Sequence, residues 1–242
     1  MAETTVRVAD AVVRLPNGYA GRLLDPADAL LAEAAGLHPA ERVLILGAGT
    51  GVLAVVAGQR TGLPVVVADH SATDLAAAQV VLDVNNVAAH IRTTRDLAQI
   101  ATASFDVALI NIAFQPNSAR LAELLADVRR VVRSGGRVLL AGARNRGADS
   151  AIKRLGAIFG AASVIAYRQG CRVGQAVRQP DAYEPAVPAA APDLVTVELR
   201  GSRYTLEVEP GVFARGLLDP ATALLIDALL LAPHDHVLDL GC

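Results

Sequence analysis

The chain has 242 residues, 53% of them hydrophobic, which suffices for one large domain or two small ones. Its formal net charge of −2 gives no overall bias towards nucleic acid. The chain has two cysteines, Cys171 and Cys242, whose spacing indicates neither a disulfide framework nor a metal site, which is typical of a reducing compartment. The sequence lacks a signal-like N-terminus and an apolar run of about 18 residues, so we expect a soluble, cytoplasmic protein with neither metal nor membrane partner.

The N-terminal third predicts strands and helices in alternation. Residues 6–15 are rich in β-branched side chains and predict one or two strands. Asp25 followed by Pro26 predicts a helix ending near Gly36, because Asp favours the N-cap and Pro the first helical position. The apolar run 43–46 predicts a buried strand, which leads through a glycine-rich turn into a further helix.

The glycine-rich turn carries Gly47, Gly49 and Gly51 in the spacing Gly-x-Gly-x-Gly. Glycines let the backbone approach a ligand closely, and the free N–H groups of the following helix face a bound nucleotide. The dinucleotide spacing Gly-x-Gly-x-x-Gly would need a glycine in place of Val52, so the turn disfavours a nicotinamide cofactor and favours S-adenosylmethionine. We therefore expect the three glycines to bind S-adenosyl-L-methionine.

Two acidic residues beyond this turn are candidates for cofactor contacts. Residues 64–69 predict a buried strand that ends in Asp69, and Ser71 opens the helix 73–84 as a capping residue. A carboxylate can accept both hydroxyl donors of a ribose, so we expect Asp69 to bind the cofactor's ribose. Asp96 could reach the adenine, but a loop residue is the preferred interpretation.

The remaining elements of this region are, in chain order, a weak strand 91–93, a strand 105–111, a helix 118–133, a strand 137–141, a helix 148–159 and a hairpin of strands 163–168 and 172–178. Alternation of strands and helices predicts an α/β fold with a doubly wound, mostly parallel sheet. The final hairpin adds antiparallel strands at the C-terminal end, a Rossmann-like combination familiar from class I methyltransferases. Together with the glycine spacing, it argues against a nicotinamide-dependent enzyme.

The beginning of this region recurs later in the chain. Residues 24–47 align without a gap to 218–241, with roughly 14 of 24 positions identical. We therefore predict a domain at 1–178, a Pro- and Ala-rich linker at 179–193 and the start of a second copy at 194–242, which stops within its own glycine motif. One hairpin, one helix and one strand cannot form a core, so we expect this segment to pack on the first domain or to self-associate.

Positive charge is concentrated in residues 129–178. This stretch contains ten arginines and Lys153, with Asp149 as the single acid. Two interpretations remain open. The residues form solvated helix faces, or they contact RNA, since Arg binds phosphate bidentately and stacks on bases.

The chain resembles the two-domain 16S ribosomal-RNA guanine-N2 methyltransferases, which carry a degenerate N-terminal copy and a catalytic C-terminal copy of one fold. Residues 210–219 match the family's lead-in to its catalytic copy, and 237–242 match the start of its cofactor motif. The resemblance implies that Asp239 and Gly241 bind cofactor. It also implies S-adenosyl-L-methionine as the cofactor and ribosomal RNA or the small ribosomal subunit as the partner.

The family's catalytic motif Asn-Pro-Pro-Phe is altered in the first copy, where Asn111-Ile112-Ala113-Phe114 takes its place. In the motif, the Asn orients the guanine amine, the prolines fix the loop and the aromatic ring stacks on a flipped-out base. The resemblance marks Asn111 and Phe114 as degenerate catalytic residues. An equal alternative is that Asn111 only forms the turn at the end of the strand and that Phe114 is a core residue.

A second departure lies in the strand before the glycine turn. Ile45 occupies the position of Asp239, the acid that helps to place the cofactor's methionine end in the family. We therefore expect a ribosomal-RNA guanine-N2 methyltransferase of which this chain is mainly the non-catalytic N-terminal domain, inactive by itself. The alternative is an RNA-binding or structural module that has the methyltransferase fold but no activity of its own.

Overall fold

A computed structural model describes residues 4–16, 19, 25–114, 118–180, 193–208 and 217–239. The chain forms two compact units, Met1–Ala189 and Ala190–Cys242. In chain order the first unit contains β1 (Thr4–Val8), β2 (Ala11–Leu15), α1 (Pro26–Ala34), β3 (Val43–Leu46), α2 (Val52–Thr61), β4 (Val65–Asp69), α3 (Ala72–Val84), β5 (Ala89–Thr93), β6 (Phe105–Asn111), α4 (Ser118–Val131), β7 (Val132–Ala143), α5 (Ala148–Phe159), β8 (Ser163–Arg168) and β9 (Cys171–Val177). Short 3-10 helices span Thr94–Gln99, Ile112–Phe114 and Arg144–Arg146.

Seven strands of the first unit form one sheet in the order β5-β4-β3-β6-β7-β9-β8. The strands β5, β4, β3, β6 and β7 pair in parallel, and β9 pairs antiparallel with both β7 and β8. The predicted α/β class, with a mostly parallel sheet and a terminal antiparallel hairpin, is confirmed. The strand order reverses beside β3, so the carboxyl ends of β3 and β6 form the crevice where such sheets bind ligands.

Both faces of the sheet are covered by helices, which explains why β3 is apolar at every position. Val43 and Ile45 belong to the core cluster under α1, α2 and α3, whereas Leu44 and Leu46 belong to the cluster under α4 and α5. Successive side chains of a strand point to opposite faces, so a strand covered on both sides needs a continuous apolar run.

The predicted helix caps are confirmed. Asp25 precedes α1, its side chain accepts from the Ala27 N–H at 2.8 Å, and Pro26 follows it. The hydroxyl of Ser71 accepts from the Asp74 N–H at 3.1 Å and caps α3. Each cap satisfies an N–H group that the first helical turn leaves without an intrahelical partner.

The predicted boundary between α4 and β7 is wrong by several residues, because β7 begins at Val132 rather than at 137. Val132 pairs with Phe105, and the register then shifts before Arg137 pairs with Val107. The pair Gly135-Gly136 lies within this irregular part of the strand. A Cβ at Gly136 would come within 2.9 Å of the Asp106 carbonyl oxygen, so glycine is required there.

The second unit contains a hairpin, β10 (Asp193–Leu199) and β11 (Ser202–Val208), and one helix, α6 (Pro220–Ala228). The hairpin was predicted. Leu224 and Leu225 of α6 are 71% and 62% exposed, so the expected packing of this segment stays a prediction. The expected strand at 237–240 is wrong in its described part, since 237–239 form no strand. The matching β3 is held between β4 and β6, and the second unit offers no such neighbours among its described residues.

Across the described ranges, no helix combines the length and the apolar character needed to cross a membrane.

Candidate functional site

The glycine-rich turn lies at the carboxyl end of β3, where the strand order reverses. Gly47, Gly49 and Gly51 all have positive φ angles, of 96°, 50° and 80°. L-residues with a Cβ rarely adopt this left-handed region, so the backbone itself requires glycine at these positions. The predicted strand, turn and helix are confirmed, while the binding of a cofactor by these glycines stays a prediction.

Two of the three glycines face different neighbours. A Cβ at Gly51 would lie 2.9 Å from the Cα of Ala78, because α3 packs directly against the turn. A Cβ at Gly49 would instead meet the Oδ2 atom of Asp28 at 3.2 Å. Gly51 therefore serves helix packing, and Gly49 faces a buried carboxyl group of α1.

Asp69 lies under the glycine turn and is only 1% exposed. Its Oδ2 atom accepts from the Ala48 N–H at 2.7 Å, and its Oδ1 atom accepts from the Ser71 N–H at 2.9 Å. The Nδ1 atom of His70 lies 3.1 Å from Oδ1. The carboxylate thus holds the turn in place, and a ribose would have to share oxygens that the backbone already uses.

Ile45, which aligns with Asp239, is 1% exposed in the core and offers no carboxylate to the glycine turn. Instead, Asp28 reaches the glycine turn from α1 and is 4% exposed. Burial raises the pKa of Asp28 to about 7; the hydrogen bond from Asn111 opposes this shift and the neighbouring Asp25 adds to it. The prediction from sequence missed Asp28. The one signal was an acid in the apolar face of a helix, at a position that aligns with Thr222.

The side chain of Asn111 is satisfied at both ends by the protein itself. Its Nδ2 group donates to Asp28 Oδ1 at 2.8 Å and to Asp25 Oδ2 at 3.3 Å. Its Oδ1 atom accepts from the Ala113 N–H at 2.9 Å. In an Asn-Pro-Pro-Phe motif the third residue has no N–H, so Ala113 captures an oxygen that the motif leaves available.

The other predicted site residues do not join this group. Asp96 accepts from the N–H and the hydroxyl of Thr93, both at 2.9 Å, and so caps the 3-10 helix Thr94–Gln99 in which it lies; the interpretation as a loop residue is wrong in this respect. Asp239 is exposed and outside any strand. The side chain of Phe114 and the whole of Gly241 lie outside the described residues.

A cavity of about 320 Å³ opens beside Asn111. Its walls come from the start of α1, the ends of β6 and β7 and the turn between β8 and β9. The residues that line it are Asp25, Pro26, Ala27, Asn111, Ile112, Ala113, Ala143, Asn145, Arg146, Gln169 and Cys171.

Several arginines in 129–178 pair with acids, most of which lie outside this stretch, and this corrects the impression of a continuous basic surface. Carboxylates bind Arg133, Arg137, Arg168 and Arg172; their partners are Asp106, Glu41, Glu33 and Asp149, respectively. These pairs neutralise much of the charge that appears unbalanced along the sequence.

A family model described as methyltransferase small domain matches residues 10–175 and 203–242. The chain belongs to the methyltransferase small domain family. Its sheet order is that of the class I methyltransferase fold. The chain is 31% identical over 148 residues to the ribosomal RNA small subunit methyltransferase C of Pseudomonas entomophila, covering 57% of this chain and 40% of that protein. The protein of the same name from Pseudomonas paraeruginosa is 32% identical over 131 residues, covering 54% and 39%.

The chain therefore spans about 40% of the length of these curated relatives. Among solved structures, it is similar to a T. thermophilus 16S rRNA N2 methyltransferase in complex with AdoMet and guanosine, with a TM-score of 0.68 and 25% identity. That match covers 93% of this chain and 57% of that one. A putative methyltransferase of Haloferax volcanii, at 14% identity and a TM-score of 0.54 over 69% of this chain and 94% of that one, shares the fold.

Proposed function

We propose that this chain is mainly the non-catalytic N-terminal domain of an S-adenosylmethionine-dependent methyltransferase that acts on guanine N2 of ribosomal RNA. Its family membership supports the methyltransferase assignment. The names of the curated relatives and of the T. thermophilus structure support ribosomal RNA as the substrate. The observation that carries the non-catalytic role is the capture of the Asn111 oxygen by the Ala113 N–H.

The hydrogen bond from the Ala113 N–H to the Asn111 oxygen matters because an exocyclic amine has to be oriented before it can accept a methyl group. The guanine amine is a poor nucleophile, and a free Asn oxygen would accept its N–H and orient its lone pair towards the methyl group. Here that oxygen already accepts from Ala113, and the amide nitrogen already donates to Asp25 and Asp28. An amide oxygen has two lone pairs, so a substrate N–H could use only the one that Ala113 leaves, on a side chain whose orientation these three bonds already fix.

A bound S-adenosyl-L-methionine would supply an electrophilic methyl group. The residues that would hold it are Gly47, Gly49, Gly51 and Asp69, with Thr50 between the last two glycines. Within the part of the chain that the structure describes, the buried Oγ1 atom of Thr50 has no hydrogen-bond partner, so the turn can still satisfy a polar ligand. The turn fits the cofactor in this respect, and Ile45 removes only the contact of one acid.

The domain organisation belongs to the same proposal: a domain at 1–178, a linker at 179–193 and the start of a second copy at 194–242. Two helix caps support it. Asp25 before α1 and Asp219 before α6 have nearly identical backbone angles, φ −60° and ψ 124° against φ −62° and ψ 131°. The family model also matches within both segments. In this arrangement Asp239 and Gly241 would belong to the cofactor motif of the second copy.

A second candidate function is an RNA-binding or structural module that binds no cofactor. The contacts of Asp69 favour it, because both carboxylate oxygens are already bonded to the protein's own backbone. The two candidates differ in whether the first copy binds S-adenosyl-L-methionine, so one titration separates them.

We expect calorimetric titration with S-adenosyl-L-methionine to give micromolar binding, and Asp69→Asn to weaken it by about 10- to 100-fold. Hydrogen bonds to a charged group contribute about 1.5–3 kcal/mol, which is the basis of this range. Asp83→Asn is the matched control, because Asp83 is an exposed acid on α3 and its carboxylate accepts only from Gln79 among the described residues. Absence of heat at millimolar cofactor would leave the structural module as the function of this domain.

A further inference from the structure

The buried carboxyl group of Asp28 has one oxygen atom that the protein leaves unused. Asp28 is 4% exposed, and its Oδ1 atom accepts from the Asn111 amide at 2.8 Å. Its Oδ2 atom accepts no hydrogen bond from the part of the chain that the structure describes. This atom lies 3.2 Å from the position that a Cβ of Gly49 would take, so the unused oxygen lies against the glycine turn.

The described residues also place no cation against Asp28. Its hydrogen-bond donor is the neutral amide of Asn111, and the charge that acts on it is that of Asp25, which is another acid. A buried carboxylate is normally paired with a cation or bonded to several donors. In the free protein Asp28 keeps its proton instead, because burial raises its pKa to about 7. A ligand that brings a cation to Oδ2 would supply the missing partner.

The kind of cation follows from the number of ligands that the site offers. A metal ion requires several protein ligands, and the described ranges contain no group of three or more His, Cys, Asp and Glu side chains that could hold one. An ammonium group has three N–H donors and can be bound by a single carboxylate. The unused oxygen of Asp28 is therefore suited to an ammonium group.

The helix that follows the glycine turn is suited to an anion. The helix α2 begins after Gly51 without a side-chain cap, and its first intrahelical bond is donated by the Val55 N–H to the Gly51 carbonyl oxygen. The N–H groups of residues 52–54 therefore have no intrahelical acceptor and attract a carboxylate. In the described part of the chain, the buried Oγ1 atom of Thr50 also lacks a partner. Asp28 and this helix terminus together match the ammonium and carboxylate groups of an α-amino acid.

The isoleucine in β3 explains why an acid has to reach the turn from another element. Ile45 aligns with Asp239, and Asp28 aligns with Thr222, so each segment carries one acid, at a different one of the two positions. Ile45 lies in the same core cluster as the buried apolar residues of α1, so the strand position and the helix face the same side of the sheet. An acid on either element can therefore approach the turn from that side.

We propose that Asp28 binds the α-ammonium group at the methionine end of S-adenosyl-L-methionine, in place of the strand acid that is missing at Ile45. This rests on the proposed function, in which the first copy binds the cofactor, and it assigns one contact to α1, outside the glycine motif. The N–H groups of residues 52–54 would hold the carboxylate of the same amino-acid end. The adenosine part of the cofactor does not depend on Asp28.

Calorimetric titration of the whole chain at pH 7 with two thioether ligands tests this assignment. S-adenosyl-L-homocysteine carries the amino-acid end, whereas 5′-methylthioadenosine has the adenosine and the sulfur but neither ammonium nor carboxylate. We expect Asp28→Asn to weaken binding of S-adenosyl-L-homocysteine about 10- to 100-fold and to change binding of 5′-methylthioadenosine by less than about twofold. Asp28→Asn keeps an acceptor for the Asn111 amide, and Asp83→Asn, which should leave both affinities unchanged, is the matched control. Equal losses for the two ligands would show a distorted turn and overturn the proposal.

Proton release on binding is a second readout, which a purely structural role of Asp28 would not produce. At pH 6 Asp28 of the free protein is mostly protonated, because burial raises its pKa to about 7. An ammonium group at Oδ2 favours the ionised form, so binding of S-adenosyl-L-homocysteine should release about one proton. Titrations in buffers of different ionisation enthalpy measure this number. The difference from Asp28→Asn removes proton changes at other groups, including Asp25 and His70, and equal release by both proteins would contradict the proposal.

The outcomes distinguish failure of this contact from failure of the proposed function. If S-adenosyl-L-homocysteine binds equally well to Asp28→Asn and less well to Asp69→Asn, the cofactor site stands and the Asp28 contact is overturned. If neither ligand gives heat at millimolar concentration, both the site and the contact are overturned. Binding of the two ligands with equal affinity by the unmodified protein would show that the amino-acid end is not recognised, and would also overturn the contact.

Discussion

Replacing Asp28 with Asn is expected to stabilise the protein by about 2–3 kcal/mol at pH 8 and to destabilise it by about 1 kcal/mol at pH 4. One pKa unit corresponds to about 1.4 kcal/mol, and burial raises the pKa of Asp28 from 3.8 to about 7. The full shift sets an upper limit of about 4 kcal/mol. Part of this gain in the free energy of unfolding is lost at every pH, because the new amide NH2 group replaces the Oδ2 atom near Gly49 and needs a hydrogen-bond acceptor of its own.

The sign of the pH dependence follows from proton binding. Between about pH 4 and pH 7 the folded protein keeps the Asp28 proton and the unfolded chain does not, so stability falls as the pH rises. Below that window Asp28 is neutral in both states, and above it the carboxylate is ionised in both. Asn cannot ionise, so Asp28→Asn removes this slope and keeps an acceptor for the Asn111 amide.

Urea unfolding at pH 4, 5, 6, 7 and 8 measures the effect as the difference between variant and unmodified protein. The difference removes the contribution of other groups, including Asp106. Burial alone would raise the pKa of Asp106, but hydrogen bonds from Arg42 and Arg133 outweigh it and hold the pKa below its usual range. Asp83→Asn, at an exposed position, is the control. A stabilisation of equal size at pH 4 and pH 8 would show that the buried charge is not its cause.

The position of the Asp28 carboxyl group, whose burial destabilises the fold at neutral and higher pH, is relevant to function. Asp28 contacts Asn111 and faces Gly49, two of the predicted site residues. Strongly shifted pKa values cluster at functional sites, and an acid retained in an unfavourable position suggests a role other than stability. Asp28→Asn is therefore informative in the titration with S-adenosyl-L-methionine. A variant that is more stable but binds the cofactor less tightly would show that Asp28 serves binding and not folding.

The fold could be predicted from the sequence because its signals are local. The apolar run of β3, the glycines that follow it and the Asp25 and Ser71 caps each act within a few residues. The boundary of β7 could not be predicted in this way. Gly135-Gly136 resembles a turn locally, and only the pairing of Val132 with Phe105 extends the strand across it.

The candidate site depended on contacts between residues far apart in sequence. The bond between Asn111 and Asp28 joins positions 83 residues apart, and Arg137 pairs with Glu41 across 96 residues. No local pattern indicates which acid approaches which amide or arginine. Charge that is segregated along the chain is therefore not segregated in space, which is why the arginine-rich stretch overstated the basic surface.

Gly51→Ala is expected to destabilise the protein by about 3 kcal/mol, against about 1 kcal/mol for Gly62→Ala. The two glycines flank α2 and have similar φ angles, 80° and 70°, so each substitution incurs the strain of a left-handed alanine, about 1–2 kcal/mol. Only Gly51 adds a clash, since its Cβ would lie 2.9 Å from the Ala78 Cα and 3.0 Å from the Ala78 carbonyl oxygen. Both are backbone atoms of α3, which side-chain rearrangement cannot move.

Urea unfolding of the two variants checks this, and equal losses would contradict a packing role for Gly51. Near Gly62 the described residues leave open space within 4 Å, so that variant reports backbone strain alone. The glycine at position 51 does not by itself indicate a bound cofactor. If close packing of α2 on α3 requires Gly51, the Gly-x-Gly-x-Gly spacing would persist in a copy that binds no cofactor. Gly49 faces the buried carboxyl group of Asp28 and not a helix backbone, so close packing of α3 does not account for the glycine at that position.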